Sequence, residues 1–520
     1  MALARTHAIA LAGVQGHPVE IEADIGNGLV ALFLVGLPDT ALREARDRIR
    51  SAIINSRQSW PQRRVTVGLS PASLPKRGSA FDVGIALAIL AADGALPAGR
   101  LTGAVFIGEL GLDGRLRPVP GVLPSVAAAA AAGFDQVVVP PENAAEALLV
   151  PAMRVISAPS LRALIDWLRG EPSASPGASV RVLESGAGLT ATVPAAATTT
   201  RALDLAEVAG QPVARRAAEI CAAGGHHLLL LGQPGCGKTM VAERLPTIMP
   251  SLDPAAALEV SAIHSVAGTL QAGRPLVTDP PFCAPHHTAT KAAIVGGGSG
   301  IIRPGAASLA HHGCLFLDEA PEFDRDVLDA LRQPLESGEV IIARSGMTAR
   351  FPARFTLVLA ANPCPCAKSA TAGSACTCPP LLRRRYLARL SGPLLDRVDV
   401  KVELLPVTRA ELLSDRKLAE PSAVVAGRVQ QARQRAAQRL AGTPWRLNAE
   451  VPGSELRRSF RPAEGSLAPL ERAMDLGQVS ARGTDRIIRM SWTLADLAGH
   501  PQPGRDEIST ALALWLGAGT

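Results

Sequence analysis

Aromatic and charged residues are scarce in this sequence. Its 520 residues include ten Phe, five Trp and only one Tyr. Stacking of unpaired bases requires several exposed rings, so this scarcity argues against a base-stacking platform. Lys and Arg number 53 against 46 Asp and Glu, which gives a net charge of only +7. Because the sequence has no polycationic tail, any contact with nucleic acid must come from a local group of cations.

Long apolar runs and the features of an export signal are also missing. The longest uncharged stretches are rich in Ala and broken by Pro and Gly, which suits helices in water better than helices in lipid. The N-terminal stretch has a minimal apolar core without a clear cleavage pattern, and we expect it to form a strand. The eight Cys residues fit a reducing compartment. We therefore expect a cytoplasmic protein that does not bind a membrane.

The length predicts about three domains, at roughly 150 residues each. Residues 171–200 are rich in Ser, Thr, Ala, Gly and Pro and are typical of a linker. In residues 1–170, short β-branched runs alternate with helical patterns, which predicts a mixed α/β domain. Residues 201–405 alternate strand, loop and helix, which predicts a parallel sheet with crossover helices. Residues 406–520 have a wholly helical pattern.

A phosphate-binding loop is the strongest motif in the sequence. Residues 227–231 (HLLLL) have the composition of a strand buried on both faces. The next eight residues match G-x-x-x-x-G-K-[ST] at every position: Gly232, Gln233, Pro234, Gly235, Cys236, Gly237, Lys238 and Thr239. In such a loop, backbone N–H groups surround phosphate oxygens, the Lys reaches the β- and γ-phosphates, and the Thr holds Mg²⁺. A chance glycine turn, the alternative, does not explain the strand before the loop and the helix after it.

Two further strands end in polar residues that suit the same site. The run CLFL is followed by Asp318 and Glu319. Asp318 can organise Mg²⁺, and Glu319 can polarise the attacking water as a general base. The run FTLVLA leads to Asn362, whose amide can hold the attacking water opposite the γ-phosphate. An ordinary Asn-Pro turn is the alternative for Asn362.

Two arginines farther along the chain are candidates for phosphate contact. Arg397 stands in the run LLDRVD. It is either a salt-bridged surface residue or a finger that reaches the γ-phosphate of a neighbouring subunit. Arg482, at the start of the last long helix, is either a solvated charge or a clamp on the phosphates from the C-terminal domain.

These motifs occur in the order and approximate spacing that they have in magnesium-chelatase-like AAA+ ATPases. More narrowly, the segment PPFCAPHHTATKAAIVGGGSGIIRPGAASLAHHGCLFLDE is similar to the signature of the ComM/YifB group of bacterial AAA+ proteins. The runs GHPVEIEADI, GLPD and PKRGSAFDVGIALAIL near the start also resemble that group. The resemblance covers nearly the whole chain outside the linker. It implies an α/β AAA+ P-loop core with a parallel sheet, a C-terminal all-α lid and a homo-hexameric ring that hydrolyses ATP between subunits.

The same resemblance implies DNA as the partner, whether single-stranded, forked or branched. Proteins of the ComM type are similar to helicases that drive branch migration of recombination intermediates during natural transformation. By matching motifs, the Walker A residues fall in the phosphate-binding loop and the Walker B pair at Asp318 and Glu319. The sensor-1 residue falls at Asn362, the trans-acting finger at Arg397 and the sensor-2 residue at Arg482.

The N-terminal domain resembles the proteolytic domain of Lon, which has a ribosomal S5 domain 2-like fold. By matching motifs, its nucleophilic Ser position falls near Asp82 and its Lys position near Ser125. Neither side chain can perform that chemistry, so we expect a proteolytically inactive domain. Ser79 and Lys76 offer an alternative dyad. We favour instead a module that stacks on the ring or guides DNA.

Four cysteines form the pattern C-x-C-x₉-C-x-C in a polar loop: Cys364, Cys366, Cys376 and Cys378. Four converging thiolates satisfy a tetrahedral Zn²⁺. The spacing differs from the usual C-x₂-C knuckle, and inert thiols are the alternative. A structural zinc here would brace the loop that follows Asn362.

Two segments are candidates for tracking DNA phosphates in a ring. The run VIIARSGMTARFPARF predicts a hairpin that carries Arg344, Arg350 and Arg354. A Gly-rich segment carries Lys291 and Arg303. Copies of either segment would line a pore with cations that follow the backbone without reading bases. An ordinary basic turn is the alternative.

Three functions compete on this sequence. A DNA motor is favoured by the resemblance along the whole chain. The motor subunit of a metal-chelatase-type remodelling complex shares the ATPase core, but the additional N-terminal domain argues against it. An ATP-dependent protease is disfavoured because the Ser–Lys pair is missing.

Overall fold

The computed structural model describes residues 2–36, 39–74, 76, 78–171, 179–184, 203–271, 273–298, 302–344, 347–366, 376–416 and 418–517. Its N-terminal part is a mixed α/β unit. The strands are β1 (Ala2–Ala12), β2 (Gln15–Gly26), β3 (Ala31–Val35), β4 (Arg64–Ser70), β5 (Ala104–Phe106), β6 (Glu109–Leu110), β7 (Leu116–Arg117), β8 (Gln136–Val139) and β9 (Arg154–Ser157). The helices are α1 (Asp39–Asn55), α2 (Asp82–Ala92), α3 (Val122–Ala131), α4 (Ala144–Ala147) and α5 (Leu161–Arg169).

The long antiparallel pair β1–β2 lies near the centre of the N-terminal sheet. Along β2, Val19, Ile21 and Ala23 are buried while the residues between them are partly exposed. This alternation places one face of the strand against the helices. α2 is buried along almost its whole length because it is apolar on every side, and it packs across β1 and β2.

One strand at the edge of this sheet lies within the predicted linker. β10 (Arg181–Glu184) pairs antiparallel with β9 and places Val182 opposite Ile156. The segment predicted to be an interdomain linker therefore contains a short strand. Its Val180 and Leu183 pack against the apolar clusters on the sheet. Residues 172–178 and 185–200 of the segment lie outside the described residues.

The central part contains a parallel five-stranded sheet, as predicted. Its order is β12-β13-β16-β11-β17. The sheet strands are β11 (Leu228–Gly232), β12 (Phe282–Cys283), β13 (Cys314–Leu317), β16 (Thr356–Ala361) and β17 (Val400–Leu404), and a separate hairpin is formed by β14 (Glu339–Arg344) and β15 (Met347–Pro352). The helices are α6 (Pro212–Gly224), α7 (Lys238–Arg244), α8 (Pro254–Ala267), α9 (Lys291–Val295), α10 (Ala306–Leu309), α11 (Arg325–Ala330), α12 (Arg332–Ser337), α13 (Pro380–Leu387) and α14 (Gly392–Leu395).

The order of these strands locates the functional edge of the sheet. The chain leaves β11 for the far edge and returns through β13 to β16, which lies directly beside β11. The direction of strand succession therefore changes next to β11. In open parallel sheets, ligands bind at the carboxyl ends of the strands at such a point.

The C-terminal part, in its described residues, is helical. Its helices are α15 (Arg409–Asp415), α16 (Ser422–Arg439), α17 (Gly453–Arg458), α18 (Ala468–Asp475), α19 (Ala481–Ala498) and α20 (Arg505–Leu516). α16 and α19 pack on α6, and α20 packs on β17. A buried ion pair of 2.6 Å joins Arg486 of α19 to Asp399. Burial alone would raise the pKa of Asp399, but Arg486 and His226 hold it well below its usual range.

The N-terminal and central parts meet at α3 and α8. Leu258 and Ala262 of α8 pack against an apolar cluster of the N-terminal part. The Ser265 hydroxyl donates a hydrogen bond to the Glu146 carboxylate, and the backbone N–H of Gly121 donates to the Ser265 carbonyl at 3.0 Å. The contact therefore combines apolar packing with buried hydrogen bonds. Among the described helices, none is both long and apolar enough to cross a membrane.

Candidate active site

The phosphate-binding loop leaves β11 at Gly232 and leads directly into α7. Gly235 and Gly237 have φ angles of 80° and 98°, in the left-handed region that side chains disfavour. A Cβ atom built on either glycine would meet no other atom within 4 Å. The space beside the backbone of the loop is therefore open, as phosphate binding requires.

Lys238 joins this loop to the neighbouring strand. Its Nζ donates hydrogen bonds to the carbonyls of Gly232 (2.7 Å) and Gln233 (2.9 Å) and to Oδ1 of Asn362 (3.0 Å). Lys238 and Asn362 are both buried. Burial lowers the pKa of Lys238, against the opposing effects of Cys236, Asp318 and Glu319. The structure thus brings the predicted sensor residue into direct contact with the predicted phosphate-binding lysine.

Thr239 and Asp318 form a second contact across the sheet edge. The Thr239 hydroxyl donates to Oδ2 of Asp318 at 2.9 Å. A hydroxyl and a carboxylate are both hard oxygen ligands of the kind that Mg²⁺ prefers. The donor set therefore fits the predicted ion, and the carboxylate lies where it could share that ion with the loop.

Glu319 differs from its neighbours in backbone conformation. Its φ is 49°, a left-handed value that is strained for a residue with a side chain. Its N–H donates to Oδ1 of Asp318 at 2.9 Å. Its Oε2 lies 3.6 Å from Nδ1 of His287. The ring centroids of His287 and His286 lie 4.1 Å apart, and the two rings are tilted against each other. His287 is a site residue that the motifs do not predict. The adjacent His pair in the signature segment is the sequence signal that could have indicated it.

The predicted finger lies in a different environment. Arg397 is buried, and its guanidinium forms an ion pair with Glu336 and donates to the Pro393 carbonyl. Its Nε is buried, and no described residue forms a hydrogen bond with it. Arg482 is exposed and forms no ion pair with a described residue. The contacts of Arg397 are thus with the α12 and α14 side of the core and not with the phosphate-binding loop, so both roles stay predictions.

The four cysteines of the predicted zinc site converge. Their sulfur atoms all lie within 4.8 Å of one another. The Sγ of Cys364 lies 2.9 Å from that of Cys366 and 3.2 Å from that of Cys376. Residues 367–375, between the two halves of the cluster, lie outside the described residues. The arrangement is close enough for one tetrahedral ion to contact all four thiolates.

The cations predicted to track DNA occupy two distinct places. Lys291 and Arg303 are exposed, and Gly297 and Arg303 exchange backbone hydrogen bonds at 2.9 and 3.0 Å in an isolated antiparallel bridge. The predicted hairpin is formed by β14 and β15. In it, Arg350 pairs with Glu339 at 3.0 Å. Arg354 is exposed just beyond β15, and the side chain of Arg344 lies outside the described residues.

One side of the hairpin is covered by the N-terminal part. The backbone of Arg350 bridges to Gly13, and a Cβ on Gly13 would lie 2.5 Å from the Arg350 carbonyl oxygen. Phe351 is fully buried in a cluster that includes Leu11 and Val14 of the N-terminal part. The hairpin is therefore held by two parts of the chain, and a role in a pore remains a prediction for its exposed side.

The residues at the predicted remnant of a protease site have other partners. Asp82 is buried and pairs with Arg48 at 2.9 Å. Burial raises its pKa to about 6, although Arg48 opposes the shift. Lys76 donates to the Leu74 carbonyl at 3.1 Å, and Ser79 donates to Glu109.

The remaining member of that remnant is also used structurally. The Ser125 hydroxyl donates to the Gly121 carbonyl at 2.7 Å, one turn back along the chain. Lys76 and Ser79 form hydrogen bonds with different residues and not with each other, so the alternative dyad is not assembled.

Comparison with known proteins identifies the chain along its whole length. The family models that match are "Magnesium chelatase, subunit ChlI" at residues 204–412, "Subunit ChlI of Mg-chelatase" at residues 21–143 and "Magnesium chelatase, subunit ChlI C-terminal" at residues 419–514. The competence protein ComM of Haemophilus influenzae is 40% identical over 512 residues, which span 98% of this chain and 97% of that protein. The chain belongs to the ComM/YifB family of magnesium-chelatase-like proteins.

Other relatives also match over nearly their full length. YifB of Escherichia coli is 40% identical over 96% of this chain and 94% of its own length. An uncharacterized protein of Mycobacterium tuberculosis is 51% identical over 99% of this chain and 98% of its own length. Family membership and the assembled phosphate-binding site make the chain an ATPase that uses ATP and Mg²⁺.

Proposed function

We propose that this ATPase forms a homo-hexameric DNA motor in the cytoplasm, a helicase that promotes branch migration of recombination intermediates in natural transformation. Similarity to a competence protein over nearly the full length of both chains supports this role. The observation that carries the assembly into a ring is the division of the site. Within one chain, Lys238 and Thr239 contact Asn362 and Asp318, whereas Arg397 is paired elsewhere. A second copy that supplies its arginine would complete the site.

Each residue of the assembled side then has a task in hydrolysis. Lys238 holds the β- and γ-phosphates, and Thr239 and Asp318 hold Mg²⁺, which when bound neutralises negative charge on the phosphates. Glu319 takes the proton of the attacking water, and the amide of Asn362 orients that water. His287 lies beside Glu319 and helps to orient this exposed carboxylate.

Lys291, Arg303 and Arg354 are the best candidates for the DNA contact, because all three are exposed and none is paired with a described acidic residue. Arg350 already has Glu339 as a partner. A ring would repeat these unpaired cations once in every chain. A modest net charge per chain is therefore compatible with DNA binding.

A Lys291→Ala/Arg303→Ala double variant is expected to require more DNA than the wild type for half-maximal stimulation of ATP hydrolysis. The slope of the logarithm of DNA affinity against the logarithm of salt concentration should become shallower by about 1 for each phosphate contact removed. The measurement is the ATPase rate against concentration of forked and four-way DNA at several salt concentrations. Arg115→Ala is the matched control, since Arg115 is exposed and paired with Asp113 in the N-terminal part.

Absence of any stimulation by DNA, and of branch migration, in wild-type hexamers would rule out the DNA motor. It would favour the second candidate, a motor subunit of a metal-chelatase-type remodelling complex. That candidate rests on the magnesium-chelatase family model that matches residues 204–412.

We also propose that the four-cysteine cluster holds a structural Zn²⁺. Zinc–sulfur bonds of roughly 2.3 Å in a tetrahedron separate the sulfur atoms by roughly 3.8 Å, and these sulfurs lie within 4.8 Å of one another. The cluster follows directly on Asn362. An ion there would fix the loop that positions this amide.

A Cys364→Ser/Cys376→Ser double variant is expected to lose the zinc that the wild type retains after purification, and to unfold several degrees lower. Metal content by mass spectrometry and thermal unfolding measure the two effects. Cys283→Ser, which alters a half-buried thiol outside the cluster, should retain zinc. Zinc-free wild-type protein, prepared without chelators, would contradict the proposal.

A further inference from the structure

Arg397 lies between two helices, and each helix brings a second arginine towards it. On α12, Glu336 pairs with Arg397, and Arg332 precedes Glu336 by four residues. On α19, Arg486 donates to the Arg397 carbonyl at 3.0 Å, and Arg482 precedes Arg486 by four residues. Residues four apart share one face of a helix. Arg332 and Arg482 therefore flank Arg397, one turn away from the residues that contact it.

This group has more guanidinium donors than acceptors. Arg332 and Arg482 are exposed, and neither forms a hydrogen bond or ion pair with a described residue. Arg397 is only 7% exposed, yet its Nε has no hydrogen-bond partner among the described residues. Burial lowers the pKa of Arg397, and the charges of Arg332, Arg486 and Arg482 lower it further. Unsatisfied, mutually repelling guanidinium groups of this kind are stabilised by a multiply charged oxyanion.

The oxyanion does not come from the phosphate-binding loop of the same chain. The side chains of that loop are bonded to Asn362 and Asp318, and none of the hydrogen bonds of Arg397 reaches them. The group instead forms part of the surface beside α12 and α19. A second copy of this chain, with ATP in its own loop, presents an oxyanion of the required charge.

We infer that Arg332 forms, together with Arg397 and Arg482, a three-arginine receptor for the terminal phosphate of ATP bound to a neighbouring copy of this chain. The inference rests on the proposed function, and it adds Arg332 to the two arginines already assigned by motif. Glu336 is the internal counter-ion of Arg397 while no phosphate is present. Three guanidinium groups match the three peripheral oxygens on which charge accumulates during phosphoryl transfer.

Arg332→Ala is expected to bind a fluorescent ATP analogue as the wild type does and to hydrolyse ATP about 10²-fold more slowly. Lys238→Ala retains Arg332 but cannot use its own loop. A mixture of the two variants should therefore hydrolyse ATP faster than either variant alone. Arg325→Ala is the matched control, because Arg325 lies on the adjacent α11 and is exposed and paired with Asp329. Arg332→Gln repeats the test with a polar side chain that carries no charge.

The mixtures separate failure of this inference from failure of the proposed function. If Arg397→Ala is rescued by Lys238→Ala but Arg332→Ala is not, the shared site stands and Arg332 is excluded from it. If neither mixture recovers turnover, the shared site itself is refuted. Wild-type turnover of both Arg332 variants would also overturn the inference.

Discussion

Glu319→Gln is expected to bind ATP with near-wild-type affinity and to hydrolyse it about 10²–10⁴ times more slowly. The amide keeps the size of the side chain but cannot accept the proton of the attacking water. Binding persists because the contacts of Lys238 with Asn362 and of Thr239 with Asp318 do not involve this carboxylate. Phosphate release and equilibrium binding of a fluorescent ATP analogue measure the two properties separately.

Glu322→Gln is the control for this experiment. Glu322 lies three residues farther along the chain and pairs with Arg389 at 3.1 Å, so its substitution removes one nearby negative charge without touching the proposed base. It should retain turnover. Hydrolysis at the wild-type rate by Glu319→Gln would transfer the role of base to another group.

Arg397→Ala is expected to lower turnover by about 10³–10⁵-fold while ATP binding is preserved. The reason is that its guanidinium would stabilise charge that develops on the phosphate of a neighbouring chain and makes no contact with its own loop. Arg397→Lys should restore little, since an ammonium ion cannot form the paired hydrogen bonds of a guanidinium. Steady-state hydrolysis at saturating ATP is the measurement.

Removal of Arg397 leaves Glu336 without its partner, but this carboxylate is 64% exposed and water can solvate it. We therefore expect the unpaired Glu336 to cost little stability, whereas loss of the buried Arg397 side chain should lower the thermal midpoint. Arg389→Ala controls for loss of an arginine close to the Walker B residues. Unchanged turnover in Arg397→Ala would show that the arginine is a structural salt bridge, as the alternative interpretation holds.

The parts of the site that the sequence predicts are those governed by local rules. The loop at Gly235 and Gly237 needs glycine because of its backbone angles, so its motif is visible in the residues themselves. The meeting of Asp318 and Asn362 with the loop follows from one principle, that parallel strands end at the same edge of a sheet. The α/β class and the parallel sheet were predictable for the same reason.

The parts that escaped prediction depend on contacts between distant segments. His287 is a loop residue whose place beside Glu319 is set by the path of the chain after β12. Arg332 has no motif of its own and becomes informative only when α12 is seen packed beside Arg397. The strand at Val182 escaped because it is only four residues long and stands within a segment rich in Ser, Ala and Gly.

The contact between α3 and α8 has a consequence for how this protein can be divided. The N-terminal part covers Leu258 and Ala262, and the Ser265 hydroxyl donates a hydrogen bond to the Glu146 carboxylate. A fragment cut after residue 202 would expose this apolar stripe to water, where it would favour self-association over catalysis. The ATPase core therefore has a complete α8 surface only when the N-terminal part is attached.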